Sequence, residues 1–277
     1  LICFVIGAKP VPSFHGKRIV KWLLEDAAAV STRDRGSERE LRRMGLGGEI
    51  PVTGDSALFL EPAAIDKETL GKSKLESLDH PVAICPRALS PDHRAHYHTP
   101  LTNANIIKMR RNIATAADCI AERGHDVVFI PMHQVPGDDD TAEIAEIRGM
   151  MHQPSTVAAH PGSPEKAMRI LQRMELVLGL RLHSLILGAN AGTPIVGIDY
   201  DPKIWGFMEQ AEAEDCLTRV DDLPEALTRQ IADALDNHTT IKRKLMKNCQ
   251  RMKTLIKQES QRIPEIIDRE HNTAGKG

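Results

Sequence analysis

Apolar residues come in short runs that alternate with amphipathic stretches along most of the chain. Leu1 to Ile6 is nearly all apolar and runs into Gly7, the form of a buried strand entering a turn. Lys17 to Asp26 predicts a helix with Ile19, Val20, Leu23 and Leu24 on one side. A second strand over Ala27 to Thr32 ends at Arg33-Asp34. Ser37, with Glu40 three positions on, has the capping-box pattern of a helix start, and Gly45 closes that helix. Ile50 to Thr53 predicts a short strand leading to Gly54-Asp55-Ser56.

Residues 61–80 combine Pro62 with a charged, weakly apolar stretch and predict a linker. A stronger alternation follows. Strands are expected at Val82 to Cys85, Val127 to Ile130, Thr156 to Ala158, Glu175 to Leu180 and Ile195 to Ile198. Helices are expected over Asn105 to Arg123, Thr141 to Met150, from Ser163-Pro164-Glu165, and over Ser184 to Ala191. Beyond Pro224 the chain reads as helical almost to its end. Strands separated by helices at this spacing imply βαβ crossovers and parallel sheets. The expected architecture is α/β with two Rossmann-like doubly wound domains. Residues 1–62 would be the remainder of the first, 63–80 the linker, 81–225 the second domain, and 226–277 terminal helices that could pack back on the first. Leu1 opens directly on a strand, with no initiator Met or basic leader, so the first domain is expected to be incomplete at its N-terminus.

Composition narrows the choice of function. With 41% hydrophobic and 27% charged residues the chain has the balance of a globular protein, and its formal net charge of −2 gives no pull toward nucleic acid. Aromatic residues make up only 3%, which leaves few for the platforms on which proteins often stack sugars. The five cysteines are scattered without a CxxC pair. Reduced thiols in a cytoplasmic protein are the expectation, with neither a disulfide framework nor a metal site.

In open parallel sheets, ligands bind beyond the carboxyl ends of the strands. That rule selects Arg33-Asp34, Arg87, Pro131-Met132-His133, Arg181-Leu182-His183 and Asp199 to Lys203. Arg33, Arg87, Arg181 and Lys203 at such ends suit a small anion, since guanidinium offers a planar fork to carboxylate or phosphate. His183 falls at a helix start, where the dipole disfavours imidazolium and a bound anion would restore its proton affinity. The run Asp138-Asp139-Asp140 reads as a solvated loop leading into a helix, because three consecutive acids do not face one point. His93, His96 and His98 have tempting spacing in a loop, without an acidic second layer to orient them as metal ligands.

The segment from Arg181 to Ala189, continued by Gly192 to Lys203, closely resembles the signature of polysaccharide pyruvyl transferases. Ser31-Thr32-Arg33-Asp34 followed by Ser37, Thr53-Gly54-Asp55, Val82 to Arg87 and Phe129 to His133 agree with it in order. The likeness runs from near residue 1 to about residue 205. It implies a glycosyltransferase-B-like pair of Rossmann domains with the active site in the cleft between them. It also implies transfer of the pyruvyl unit of phosphoenolpyruvate to two hydroxyls of a saccharide, giving a cyclic ketal and phosphate. No metal and no tightly bound cofactor belong to this class. Carried over residue by residue, His183 becomes the acid, beside Arg181 in the reacting centre, with Arg33, Arg181, Lys203 and, less directly, Arg87 as anion ligands. Asp34, Asp199 and Asp201 are the carboxylates at hand to deprotonate the acceptor, unranked.

Two further readings stay open at this point. One is a nucleotide-sugar glycosyltransferase of the same architecture; the other is a non-catalytic homologue. The acceptor could be lipid-linked. Residues 241–257 form a basic helix with Ile241, Leu245, Met252 and Leu255 along one side, which suits either contact with the inner face of an anionic membrane or packing against the first domain.

Overall fold

The computed structural model of the chain describes residues 1–64, 75–89, 101–136, 138–222 and 224–274. Part of the expected linker and His93, His96 and His98 lie outside them. By internal contacts the chain divides into Leu1–Phe59 with Asn248–Gly277, and Leu60–Lys247.

The first unit opens with strand β1 (Ile2–Ile6), helix α1 (Phe14–Glu25), strand β2 (Ala29–Thr32) and helix α2 (Arg35–Arg43). The two strands pair in parallel. The predicted strand over Ile50 to Thr53 is reduced to a single bridge, Thr32 to Val52, held by Thr32 N–H to the Pro51 carbonyl and Thr53 N–H to the Thr32 carbonyl. Leu24, Val30, Leu41, Leu46 and Ile50 form the core. Only part of the apolar surface of α1 is covered. Val20 and Leu24 face inward, whereas Ile19, Trp22 and Leu23 are exposed, because two paired strands cannot span the whole face. The cap of α2 also differs from expectation. Asp34 is the N-cap, its Oδ1 accepting from the Ser37 amide at 2.7 Å, so the helix begins two residues before Ser37.

The second unit contains the larger sheet. Its strands are β3 (Pro81–Cys85), β4 (Asp126–Phe129), β7 (Thr156–Val157), β8 (Leu176–Gly179), β9 (Ile195–Asp199) and β10 (Leu217–Arg219), all parallel, in the order β10-β9-β8-β3-β4-β7. Between β4 and β7 lies a small antiparallel hairpin, β5 (Gln134–Val135) with β6 (Asp138–Asp139). The helices are α3 (Asn103–Glu122), α4 (Asp140–Arg148), α5 (Pro164–Leu171), α6 (Leu182–Asn190), α7 (Pro202–Gln210) and α8 (Pro224–Asp236). Central strands are apolar on both faces, as in Val82–Cys85 and Leu176–Leu178, because helices cover the sheet on each side.

The chain starts at β3, winds outward through β4 to β7, then returns to the other side of β3 and winds out through β8, β9 and β10. This is the Rossmann strand order, and its switch point lies between β3 and β8. Loops leaving those two neighbours diverge, which opens a crevice at their carboxyl ends.

A long helix, α9 (His238–Ala274), closes the chain. Its buried positions among the described side chains are Leu245, Asn248, Cys249, Met252, Ile256 and Glu259, at helical spacing. Leu255, expected on that face, is exposed, and Ile256 replaces it. Within the first unit Met252 lies so close to Gly54 that a Cβ there would come within 2.9 Å of it. No helix among the described residues is long and apolar enough to cross a membrane.

One glycine sets how closely α6 approaches the sheet. A Cβ on Gly179, the last residue of β8, would fall 2.6 Å from Ser184 Oγ and 2.7 Å from Leu185 Cδ2. Gly179→Ala is therefore expected to destabilise the protein by roughly 1–3 kcal/mol through overpacking. A fall in the denaturant midpoint at unchanged slope checks it.

Candidate active site at the switch point of the larger sheet

Arg181 leaves the end of β8 as the N-cap residue of α6 and makes no side-chain cap. Its guanidinium instead turns to two carboxylates. Nε lies 3.2 Å from both oxygens of Asp140, and Nη2 lies 2.6 Å from Asp140 Oδ1. The end of the fork holds Asp138 bidentately, with Nη1 to Oδ2 at 3.0 Å and Nη2 to Oδ1 at 2.6 Å. Only 13% of the Arg181 side chain is exposed. Burial works against its charge, but the bonds to Asp138 and Asp140 outweigh that and raise its pKa.

The two carboxylates differ in their settings. Asp140 is wholly buried, and its Oδ2 also accepts the amides of Met132 at 3.1 Å and His133 at 3.0 Å. It thus joins the loop after β4 to the start of α6. Asp138 sits on the β5–β6 hairpin with 28% of its side chain exposed. Hydrogen bonding to Arg181 lowers its pKa, with the charges of Arg87 and His133 adding to the effect. His133 Nδ1 stands 3.1 Å from Asp138 Oδ2.

These contacts correct the reading of the acidic run as a solvated loop. Residues 138 and 139 are extended, so side chains two apart share a side and the middle one points away. Asp138 and Asp140 converge on Arg181, while Asp139 faces out and caps α4 by accepting the Thr141 amide at 2.8 Å. The run was visible in sequence, but its strand was not. No group of three or more acids, histidines and cysteines fit to hold a metal ion occurs among the described residues.

Arg87 follows β3, across the switch point from Arg181. Its Nη1 donates to the Tyr200 hydroxyl at 2.7 Å, and its guanidinium carbon lies 5.6 Å from that ring's centroid. Arg87 Nε is buried without a hydrogen-bond partner. Burial raises the pKa of Tyr200, against the pull of Arg87. Tyr200 was not among the expected site residues, although it lies within the motif that suggested them.

Asp199 is the last residue of β9. Burial pushes its carboxyl up to about 6, with Arg219 pulling it down and Asp201 adding to the rise. Its Oδ1 is buried and unpartnered. Asp201 caps α7, accepting the Lys203 amide at 3.2 Å, and its carboxylate lies 3.7 Å from Lys203 Nζ. His183 is exposed on the first turn of α6. The structure therefore gathers Arg87, Arg181, His183, Asp199, Asp201 and Lys203 at the carboxyl edge of one sheet.

Arg33 and Asp34 occupy the matching edge of the first unit's sheet. Arg33 Nε bonds Asp34 Oδ2 at 3.1 Å and Nη1 bonds Asp55 Oδ2 at 3.3 Å, so Asp34 has both oxygens engaged there. The guanidinium packs over Gly7, where a Cβ would sit 2.9 Å from it. Both units thus hold a strand-end arginine between two aspartates. Of the expected cationic cradle, Arg33, Arg181 and Lys203 lie against carboxylates, whereas Arg87 donates to the Tyr200 hydroxyl.

A parallel sheet in Rossmann order, together with a second α/β unit in the same chain, places it in the glycosyltransferase-B-like fold class. Solved structures agree. The chain is similar to an alpha,alpha-trehalose-phosphate synthase (UDP-forming) from Burkholderia vietnamiensis, at 12% identity and TM-score 0.55, over 94% of this chain and 67% of that one. It is similar also to an alpha,alpha-trehalose 6-phosphate synthase from Burkholderia multivorans, at 12% identity and TM-score 0.53, over 97% of this chain and 66% of that one. At such identities the likeness is one of fold.

The family model for polysaccharide pyruvyl transferase matches residues 1–202, and the chain belongs to that family. Among curated proteins it is 32% identical over 77 residues to the amylovoran biosynthesis protein AmsJ of Erwinia amylovora, covering 27% of this chain and 19% of that relative.

The buried pair makes Asp140 the most sensitive position of the acidic run. Asp140→Ala leaves Arg181 underpaired and the Met132 and His133 amides without an acceptor, an expected cost of about 3–5 kcal/mol. Asp139→Ala, which removes only a helix cap, is expected to cost about 1 kcal/mol. Equilibrium denaturation of the two variants compares them directly.

Proposed function

We propose that the chain transfers the pyruvyl unit of phosphoenolpyruvate to two hydroxyls of a saccharide, in the biosynthesis of an extracellular polysaccharide. Family membership and the likeness to an amylovoran biosynthesis protein support the reading. The observation that carries it is Arg181-Leu182-His183 at the switch point, facing Arg87 and flanked by Asp199 to Lys203.

The chemistry needs an acid, an anion seat and a base. Protonation of the donor's methylene carbon leaves positive charge on the carbon bearing carboxylate and phosphate, and the first sugar hydroxyl attacks there and loses its proton. The carbon–oxygen bond to phosphate then breaks, and the second hydroxyl closes the ketal with loss of its own proton. The products are one ketal and one phosphate. His183, exposed on the first turn of α6, is the acid. Arg87 and Lys203 take the donor's anionic groups, as does Arg181 in the manner described below. Asp199 is the base. It is distinguished from Asp34, whose oxygens are engaged, and from Asp201, which caps α7, by an unpartnered oxygen at the strand end. Arg33 in the first unit is a further anion ligand. Neither a metal nor a cofactor enters this scheme. The exposed cations Lys242, Lys244, Lys247 and Arg251 on α9 suit the inner face of an anionic membrane that presents a lipid-linked acceptor.

Phosphate release on mixing the full-length protein with phosphoenolpyruvate and candidate saccharides tests the reading. Release that requires both substrates is expected; turnover of a nucleotide sugar instead would refute it. His183→Ala is expected to lower kcat by at least about 100-fold while the protein stays folded, as for loss of a general acid, and near-normal turnover would remove His183 from that role. For Asp199 the sign follows from its raised pKa. Below about 6 it is protonated and cannot accept a proton, so kcat should fall as pH drops through that value. Asp199→Asn should be slow at every pH and lose that acidic limb.

A further inference from the structure

The seat at the end of the Arg181 fork is already taken, and by a carboxylate. Asp138 lies across it with two parallel contacts of 2.6 and 3.0 Å, the geometry in which an arginine receives a ligand's carboxylate. His133 stands 3.1 Å from the same group. The other carboxylate, Asp140, is placed differently. It grips the Nε side of Arg181 and two backbone amides, is wholly buried, and has no path to withdraw without stripping bonds from the Met132–His133 loop. Asp138 is partly exposed on a hairpin of two-residue strands whose other strand, Gln134–Val135, is exposed. One carboxylate is wholly buried, and the other lies partly exposed on a short hairpin.

Charge makes the exchange necessary. A donor carboxylate arriving with Asp138 in place would crowd three carboxylates around one guanidinium, and like charges at such range repel strongly in a partly dry site. If Asp138 swings out, the incoming group inherits both its hydrogen bonds and its electrostatic setting. Arg87, with a buried Nε that has no partner, stands across the switch point to receive the remaining anionic group.

We propose that Asp138 is an internal stand-in for the donor's carboxylate, seated bidentately on Arg181 in the unliganded protein and displaced when phosphoenolpyruvate binds. The proposal rests on the pyruvyl-transfer reading of the site. Asp138 is then a specificity device. Only a ligand whose planar carboxylate can replace it takes the seat, and Arg181 is never left bare to collect phosphate alone. The apparent affinity for the donor is reduced by the fraction of time Asp138 holds the seat.

Asp138→Asn tests this, because an uncharged amide competes poorly for a guanidinium fork while keeping the side chain's shape. With calorimetry on the full chain, the variant is expected to bind phosphoenolpyruvate about tenfold tighter than the parent, as removal of a competing conformer requires. Its affinity for inorganic phosphate should rise as well, because Asp138 no longer keeps that anion off the fork. Equal or weaker donor binding by a folded Asp138→Asn protein overturns the proposal and leaves the pyruvyl-transfer reading intact. A nucleotide sugar bound in place of phosphoenolpyruvate by both proteins overturns both. A measurement on the unaltered chain covers a variant that does not fold. Hydrogen exchange of the strand amides of Gln134, Val135, Asp138 and Asp139 should speed up on adding phosphoenolpyruvate, while the Met132 and His133 amides stay protected by Asp140. Slowed or unchanged exchange in the hairpin, with the donor bound, contradicts the displacement.

Discussion

The larger unit's site is organised around one guanidinium held from two sides. Arg181 is tied through Asp140 to the loop after β4, through Asp138 to the β5–β6 hairpin, and through its own backbone to the first turn of α6. These are three separate stretches of chain at the carboxyl edge of one sheet, and the side chain that joins them is largely out of water. A charge in that position is stable only while its partners remain, since an unpaired buried cation costs several kcal/mol. The placement of His183, two residues further on, follows from that constraint.

The arrangement also explains why the strand-end arginines do not form an open basic surface. Arg181 lies between Asp138 and Asp140, and Arg33 between Asp34 and Asp55. Pairing fixes each guanidinium in one geometry before any ligand arrives, which reduces the ordering cost of binding. An anion that approaches either fork has to compete with a resident carboxylate.

Much of this was legible in the sequence. The alternation of apolar runs and amphipathic stretches marks each central strand of the larger sheet, because both faces are covered and the runs are unbroken. Placing Arg87, Arg181 and Asp199 at strand ends needed only that pattern and the rule for open sheets. What escaped was the partnering. Asp138 and Asp140 look like loop acids because a two-residue strand leaves no periodicity to detect, and only its extended backbone makes them converge. Tyr200 was hidden for another reason: its contact with Arg87 spans 113 positions of chain, and no local signal predicts it. In the first unit Ser37 and Glu40 imitate a capping box, yet the Asp34 carboxylate reaches the Ser37 amide first and starts α2 earlier. The exposed Ile19 and Leu23 show the same limit, since an amphipathic face does not reveal how much sheet is there to cover it.

A crystal structure of the protein with phosphoenolpyruvate bound tests the central claim most directly. The account predicts the donor's carboxylate in bidentate contact with Arg181 Nη1 and Nη2, Asp138 withdrawn from the fork, and the Asp140 contacts to Arg181, Met132 and His133 unchanged. A bound donor held elsewhere, with the Arg181–Asp138 pair intact, would contradict it.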